Sequence, residues 1–309
     1  MMNREPRLLA TGVILCVALS SIGAATPPTP AATEDIAATI RDAAPDQGEI
    51  VAPADEGEHL EVKTALGEIE IPRDPAEFIT TSASASETVP EFGVSLPSEL
   101  SLADPQVAGD GTVVFSSTDG GPDAAVQVLD DGSTRIQTVI PDANSSNEYT
   151  YTFPDGYSPL TLPDGKIAVV GPDGPAGGYA RFDDAWAVDG AGHPMETLYE
   201  VRDAEVVQVV RPSQDAVYPI VADPKWTWHL AAYGAKFSKA ETRSFANAGG
   251  ITGACAALAK RAPQLAVLCG AYGAYFFSQA SIANGNRECI FLSVAPAPLV
   301  WRYKDGDCR

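Results

Sequence analysis

The stretch GTVVFSSTDGGPDAAVQVLDDGSTRIQTVI, residues 111–140, decides how this chain folds. It holds three apolar or β-branched runs, Thr112–Ser116, Ala124–Leu129 and Thr134–Ile140. Between them stand the dipeptides Asp119-Gly120 and Asp131-Gly132. Alternation with a period of two, carried by β-branched side chains, fits a pleated strand. Asp-Gly supplies the positive φ that a tight hairpin turn demands. The stretch therefore predicts strands that follow one another antiparallel.

The same pattern extends outward in both directions. Upstream, Leu60–Val62 and Ile69–Ile71 read as two hairpin arms around Leu66-Gly67. Downstream come Glu148–Phe153, Ile167–Val170, Ala185–Val188, Thr197–Val201, Glu205–Val210 and Tyr218–Ala222. Further Asp-Gly pairs punctuate them at 110–111, 155–156, 164–165, 173–174 and 189–190. No helical period intervenes, so residues 58–224 are predicted to form an all-β antiparallel sandwich or barrel.

Charge and cysteine mark where that part ends. The chain carries a net charge of −21. Residues 26–224 hold 8 Lys and Arg against 36 Asp and Glu, whereas residues 225–309 hold 10 against 4. An acidic part of −28 is thus joined to a basic part of +6, and such asymmetry is a domain boundary seen through charge. Residues 26–224 contain no cysteine, while the last part contains Cys255, Cys269, Cys289 and Cys308.

An even number of cysteines in an oxidising compartment reads as disulfides. The sequence-local pairs Cys255–Cys269 and Cys289–Cys308 are favoured among three possible pairings. A four-thiolate zinc site lacks any C-x-x-C pair. Residues 225–309 are predicted to be a small, disulfide-linked, mainly α domain. Ser238-Lys239-Ala240-Glu241 fits a capping box, which starts a helix at Lys239. That helix stops near Gly249-Gly250, a second runs from Ile251 to about Arg261, and Pro263 starts a third that reaches about Asn284. A strand at Cys289–Val294 and an irregular tail close the chain.

The amino terminus predicts export. Arg4 and Arg7 precede the apolar run Leu8–Gly23, and Gly23-Ala24-Ala25 offers the small residues of a cleavage site. Residues 1–25 read as a signal peptide, which would discard Cys16 with it. The run is shorter than the roughly 20 residues of a membrane span. Residues 26–57, rich in Pro, Ala and acid, read as a flexible leader, with a short helix at Glu34–Ala43 as the alternative.

At FPDG (residues 153–156) and YPIVADPKWTW (residues 218–228) the sequence resembles a group of uncharacterised secreted proteins of high-GC Gram-positive bacteria. These pair a β-rich segment ending in Tyr-Pro-x-x-x-Asp-Pro with a cysteine-containing helical tail. The tail motifs here are KFSKAETRSFANAGG (residues 236–250) and the terminal DCR (residues 307–309). A related Tyr-Pro…Asp-Pro ending also occurs in large cell-surface repeat proteins. The resemblance covers about residues 100–309 and implies no activity, so no residue role is carried over from it.

No catalytic motif stands out. His59, His193 and His229 are scattered, and no serine sits in a G-x-S-x-G elbow. The pairs Asp130-Asp131, Asp183-Asp184 and Asp203…Glu205 offer carboxylates for a glycosidase or for calcium, but an acidic chain brings carboxylates together by chance. No cofactor is expected, and calcium is the one weak candidate. Tyr149, Tyr151 and Phe153, together with Trp226 and Trp228, are the candidate binding surface, a platform for stacking sugars, with burial in the core as the competing reading.

The apolar segment 265–277 is too short to cross a bilayer. These observations predict a secreted, non-enzymatic binding or structural protein of the cell exterior. Its partner would be a cell-wall polymer or another extracellular protein, and nucleic acid is not expected. The alternative is a toxin- or bacteriocin-like precursor whose cationic residues 225–309 act on membranes. A hydrolase ranks third.

Overall fold

The turns around Gly120 and Gly132 build the meander that residues 111–140 predict. Both glycines have positive φ, at 81° and 79°. At Gly132 the positive φ would strain any larger residue, and a Cβ there would lie 2.8 Å from Leu66 Cδ1. The pair Asp189-Gly190 departs from the rule, because the positive φ falls on Gly192 instead. The structure is a computed structural model that describes residues 29–44, 48–83, 91–172, 178–229, 233–247, 252–253, 255–256, 263–295, 299–304 and 308–309. The expected signal peptide lies outside the described residues, as does the turn at Asp173-Gly174.

Helix α1 spans Pro30–Ala43. Five strands follow as one antiparallel sheet: β1 (Ala54–Asp55), β2 (His59–Lys63), β3 (Gly67–Pro72), β4 (Ile79–Ala83) and β5 (Phe92–Val94). Next come β6 (Gln106–Val107), β7 (Val113–Phe115), β8 (Asp123–Val128) and β9 (Thr134–Ile140), the meander of the largest sheet. Strand β10 (Glu148–Tyr151) leaves for a three-stranded sheet. The chain then adds β11 (Ser158–Thr161), β12 (Ile167–Val170), β13 (Tyr179–Phe182) and β14 (Trp186–Val188) to the large sheet. The hairpin β15 (Glu196–Arg202) and β16 (Glu205–Arg211) joins β10 in the order β10-β16-β15.

Strands β17 (Ile220–Asp223) and β18 (Lys225–His229) complete the large sheet. Its main path is β11-β12-β13-β18-β9-β8-β7-β6, with β17 between β9 and β14. One face meets the other two β-sheets of this part in a shared core that includes Phe92, Tyr149, Tyr151, Phe182, Val206 and Trp226. The opposite face is covered twice. Ile40 of α1 packs on Val114, Ala125, Val139 and Val221 at one end. The C-terminal module packs on Leu162, Ala168, Val170 and Tyr179 at the other.

Two expectations change here. The segment 26–57 was expected as a flexible leader, but its residues 30–43 form a docked helix. Thr33, Ala37 and Ile40 make a buried stripe at i, i+4 and i+7. Arg41 pairs with Asp110 at 3.1 Å, and the Gly109 N–H donates to Glu34 Oε1 at 2.7 Å. The break expected at 224/225 falls inside the sheet, because β18 pairs with both β13 and β9.

The module holds β19 (Tyr233–Phe237), α2 (Lys239–Ala246), α3 (Pro263–Gly285), β20 (Cys289–Ala295) and β21 (Leu299–Tyr303). Helix α2 starts at the predicted capping box, in which the Glu241 N–H donates to Ser238 Oγ at 3.3 Å and the Ser238 N–H donates to Glu241 Oε2 at 2.9 Å. Of the second predicted helix, Thr252, Gly253, Cys255 and Ala256 are described and helical. The tail expected to be irregular after Val294 instead forms β21, which pairs with β20 from Cys289↔Tyr303 to Ser293↔Leu299. Both predicted disulfides are present, with Cα–Cα distances of 5.6 Å for Cys255–Cys269 and 5.5 Å for Cys289–Cys308.

Candidate functional site

Helix α3 ends in a motif that aims one carboxylate. The Glu288 N–H reaches back to Ala283 O at 2.8 Å, and the Arg287 N–H to Asn284 O at 3.3 Å. Between them Arg287 takes φ 58°, the left-handed position that glycine usually fills. This Schellman-type stop turns the chain from α3 into β20 and sets Glu288 on the lip of a cleft.

The cleft measures about 310 Å³ and is lined by Ser158, Pro159 and Leu160 of β11 and by Val300, Trp301 and Arg302 of β21. Tyr275 and Gln279 of α3 and Glu288 complete it. Consecutive side chains of a strand point to opposite faces. A cavity lined by three consecutive residues on each wall therefore meets both strands edge-on. Each is in fact a terminal strand, β11 of the large sheet and β21 of the module's sheet. Pro159 suits such an edge, where no ladder N–H is needed.

The cleft combines flat apolar surface with directional polar groups. Trp301 and Tyr275 are half-buried. Burial pushes the Tyr275 phenol up, so it stays a neutral hydroxyl. Glu288 is 17% exposed and has Lys304 Nζ at 3.4 Å and Arg302 Nη1 at 3.9 Å. Its Oε2 is screened from solvent and accepts no hydrogen bond among the described residues. A buried acceptor without a donor is costly, and a ligand hydroxyl or amide would relieve that cost. Glu288 is the one carboxylate among the described residues lining the cleft, whereas glycoside hydrolysis takes a pair.

The aromatic platform expected from sequence is not on the surface. Tyr149, Tyr151 and Trp226 are buried at 0%, 0% and 1% exposure. Trp226 stacks on Phe182 with centroids 6.0 Å apart, and half-buried Phe153 lies 6.1 Å from Phe92. Alternation marks one face of a strand as apolar without saying whether another sheet covers it, and here the sheets close over it. The side chain of Trp228 lies outside the described residues.

The acid pairs serve as turn and ion-pair groups. Lys225 lies 3.9 Å from Asp131 and 3.8 Å from Asp183, and Lys166 lies 3.0 Å from Asp184. Among the described residues no three His, Cys, Asp or Glu side chains cluster as a metal site. His193 Nδ1 lies 3.5 Å from Asp189, but the imidazole is 71% exposed. The Asp189 carboxylate instead clamps its turn by accepting from the backbone N–H groups of Val217, His193 and Ala191.

Sequence reading missed Tyr275, Gln279, Glu288, Trp301 and Arg302. The one available signal was Trp301, an aromatic residue in a segment with no assigned element.

No family model matches the chain, and no curated protein matches it. A solved structure described as that of a β-arabinopyranosidase aligns with a TM-score of 0.30 and 10% identity, over 60% of this chain and 40% of that one. The chain thus spans well under half the length of that protein. At that score the likeness carries no functional argument.

Proposed function

We propose that this is an exported, non-catalytic binding protein of the cell exterior that holds a cell-wall glycan in the cleft between β11 and β21. The carrying observation is the cleft's composition. Trp301 and Tyr275 offer apolar faces, and Gln279, Glu288 and Arg302 offer paired hydrogen-bonding groups, in a cavity of about 310 Å³. Ligand sites characteristically combine aromatic lining with a few convergent polar groups. The two disulfides fit an oxidising compartment, and no described helix is long and apolar enough to cross a membrane.

The test is sedimentation with purified cell walls. The wild-type chain should be retained, Trp301→Ala should lose at least about tenfold in affinity, the equivalent of about 1.4 kcal/mol, and Glu288→Gln should lose less. Retention that is unaffected by Trp301→Ala would remove the cleft from the proposal.

The charge asymmetry supports a second reading, a cationic module that acts on membranes. Against it, Phe276, Ala280 and Ala283 of α3 are buried in the module's own core. Arg302 and Lys304 also pair with Glu288 of the same module. Dye leakage from anionic vesicles on adding the oxidised chain would reverse this ranking.

A further inference from the structure

The Tyr-Pro-x-x-x-Asp-Pro element ends on a buried acid that the binding reading does not use. Asp223 is 0% exposed. Both its carboxyl oxygens are screened from solvent, and neither accepts a hydrogen bond of good geometry among the described residues. The Trp186 indole and main chain approach it and exert the strongest pull toward its charged form, although they lie outside good hydrogen-bond geometry. A fully buried carboxyl without a well-formed hydrogen bond calls for an explanation, and chemistry is one.

The main-chain carbonyl of the same residue is, by contrast, engaged. The Tyr199 hydroxyl, reaching from β15 in the neighbouring sheet, donates to Asp223 O at 2.8 Å. That oxygen belongs to the Asp223–Pro224 peptide bond. The far side of the bond is held as well. The Ile136 N–H donates to Pro224 O at 3.0 Å, and the Asp183 N–H to Lys225 O at 2.9 Å.

We propose that the folded chain cleaves its own backbone between Asp223 and Pro224, with the Asp223 carboxyl as nucleophile and the Tyr199 hydroxyl polarising the carbonyl under attack. A carboxyl oxygen of Asp223 bonds to its own main-chain carbonyl carbon and closes a five-membered cyclic anhydride. The C–N bond to Pro224 breaks. The carboxyl proton passes to the proline nitrogen, which leaves as a secondary amine. One water molecule then opens the anhydride, so the net reaction is hydrolysis of one peptide bond. A carboxyl nucleophile in a fixed intramolecular position and a donor on the developing oxyanion are both established sources of rate.

The surroundings favour the proton-carrying form. Burial holds the Asp223 carboxyl well above the usual carboxylate range, and Asp183 adds to this, against the opposing pull of Trp186 and Arg135. The other titratable groups facing it are Tyr151 and Tyr199, both kept neutral by their own burial. The cut would produce an 86-residue fragment beginning at Pro224. That fragment would stay bound through the pairing of β18 with β13 and β9, so the cut shows only under denaturing conditions.

The chain contains its own controls. It holds three Asp–Pro bonds, at 74–75, 104–105 and 223–224. Asp74 and Asp104 are exposed. The experiment is to incubate the folded, oxidised full chain at pH 5–7 and follow intact mass under denaturing conditions. The expected result is accumulation of the Pro224 fragment with the other two Asp–Pro bonds intact. The same incubation in urea should abolish the cut. Asp223→Asn should abolish it too, and Tyr199→Phe should slow it at least about tenfold. If Asp223→Asn fails to fold by circular dichroism, Pro224→Ala keeps the acid, removes the tertiary amide and should also prevent the cut. An intact chain, equal cleavage at all three bonds, or cleavage that survives Asp223→Asn would each overturn the proposal.

Discussion

The β-rich part, residues 54–229, and the C-terminal module, residues 233–309, bury side chains of the same kinds but hold them by different means. The first pools side chains from three sheets around Trp226, Tyr149, Tyr151, Phe92 and Phe182, and it contains no cysteine. The second surrounds Phe237, Phe245, Phe276, Ile290 and Leu292 and closes itself with two disulfides. A short unit buries too small a share of its surface to be held by its core alone, and covalent closure offsets the deficit. The module also borrows surface. Phe291, Leu299, Tyr303 and the Cys289–Cys308 pair share a cluster with Leu162, Ala168, Val170 and Tyr179 of the large sheet.

The largest expected effect is in the β-rich part. Trp226 is 1% exposed and touches Phe182 and Phe92 at centroid distances of 6.0 and 6.4 Å. Trp226→Ala should destabilise that part by about 4 kcal/mol, the cost of an unfilled cavity, measured by urea unfolding followed by circular dichroism. A loss below about 1 kcal/mol would mean that the shared core is not what holds the sheets together.

The second effect belongs to the module. Cys289 and Cys308 are 19 residues apart, and opening a loop of that size removes about 3 kcal/mol. The double variant Cys289→Ala/Cys308→Ala should unfold the module at a lower temperature and leave the β-rich transition in place, giving two steps in calorimetry. It should also speed hydrogen exchange in β12 and β13, where the module docks. Cys255→Ala/Cys269→Ala should cost the module a similar amount without that exchange signal, because Cys269 lies in the module's own core. A single transition displaced as a whole would show that the two parts are one cooperative unit.

Much of the β-rich part was legible because many turns announce themselves, although the β15–β16 turn puts its positive φ on Asp203 with no glycine beside it. Asp-Gly fixes where a strand ends, and period-two alternation fixes its phase. Helix α1 was only half legible, since its stripe of Thr33, Ala37 and Ile40 is diluted by Pro, Ala and acid. Strand β21 was hidden by the prolines at 296 and 298, which mark a break in the chain but not the pairing that follows. The cleft was not legible at all. Ser158 and Trp301 are 143 positions apart, and only docking of the module brings their strand edges to one cavity. Burial misled in the opposite direction at Tyr149, Tyr151 and Trp226, whose spacing on a strand is the same whether the face is covered or open.

The smallest effect concerns pH, and it should arise in the β-rich part, which carries 31 acidic residues against 4 in residues 233–309. Two buried carboxyls there should act with opposite sign. The Val217 N–H, with help from those of His193 and Ala191, holds Asp189 down at about 2 against an ordinary 3.8. Its contribution is present above pH 3.8 and is lost as pH falls towards 2. Burial raises Asp223 from the same ordinary value. Its contribution is greatest below pH 3.8 and is lost as pH rises through its elevated folded value. Urea midpoints measured from pH 2 to 8 should therefore separate two isosteric variants. Asp189→Asn should lower stability at neutral pH and flatten the decline in acid. Asp223→Asn should raise stability at neutral pH and leave the acid limb unchanged. Shifts of the same sign in both variants would refute the opposed environments, whereas a pH dependence unchanged in both would place the titration outside this part of the molecule.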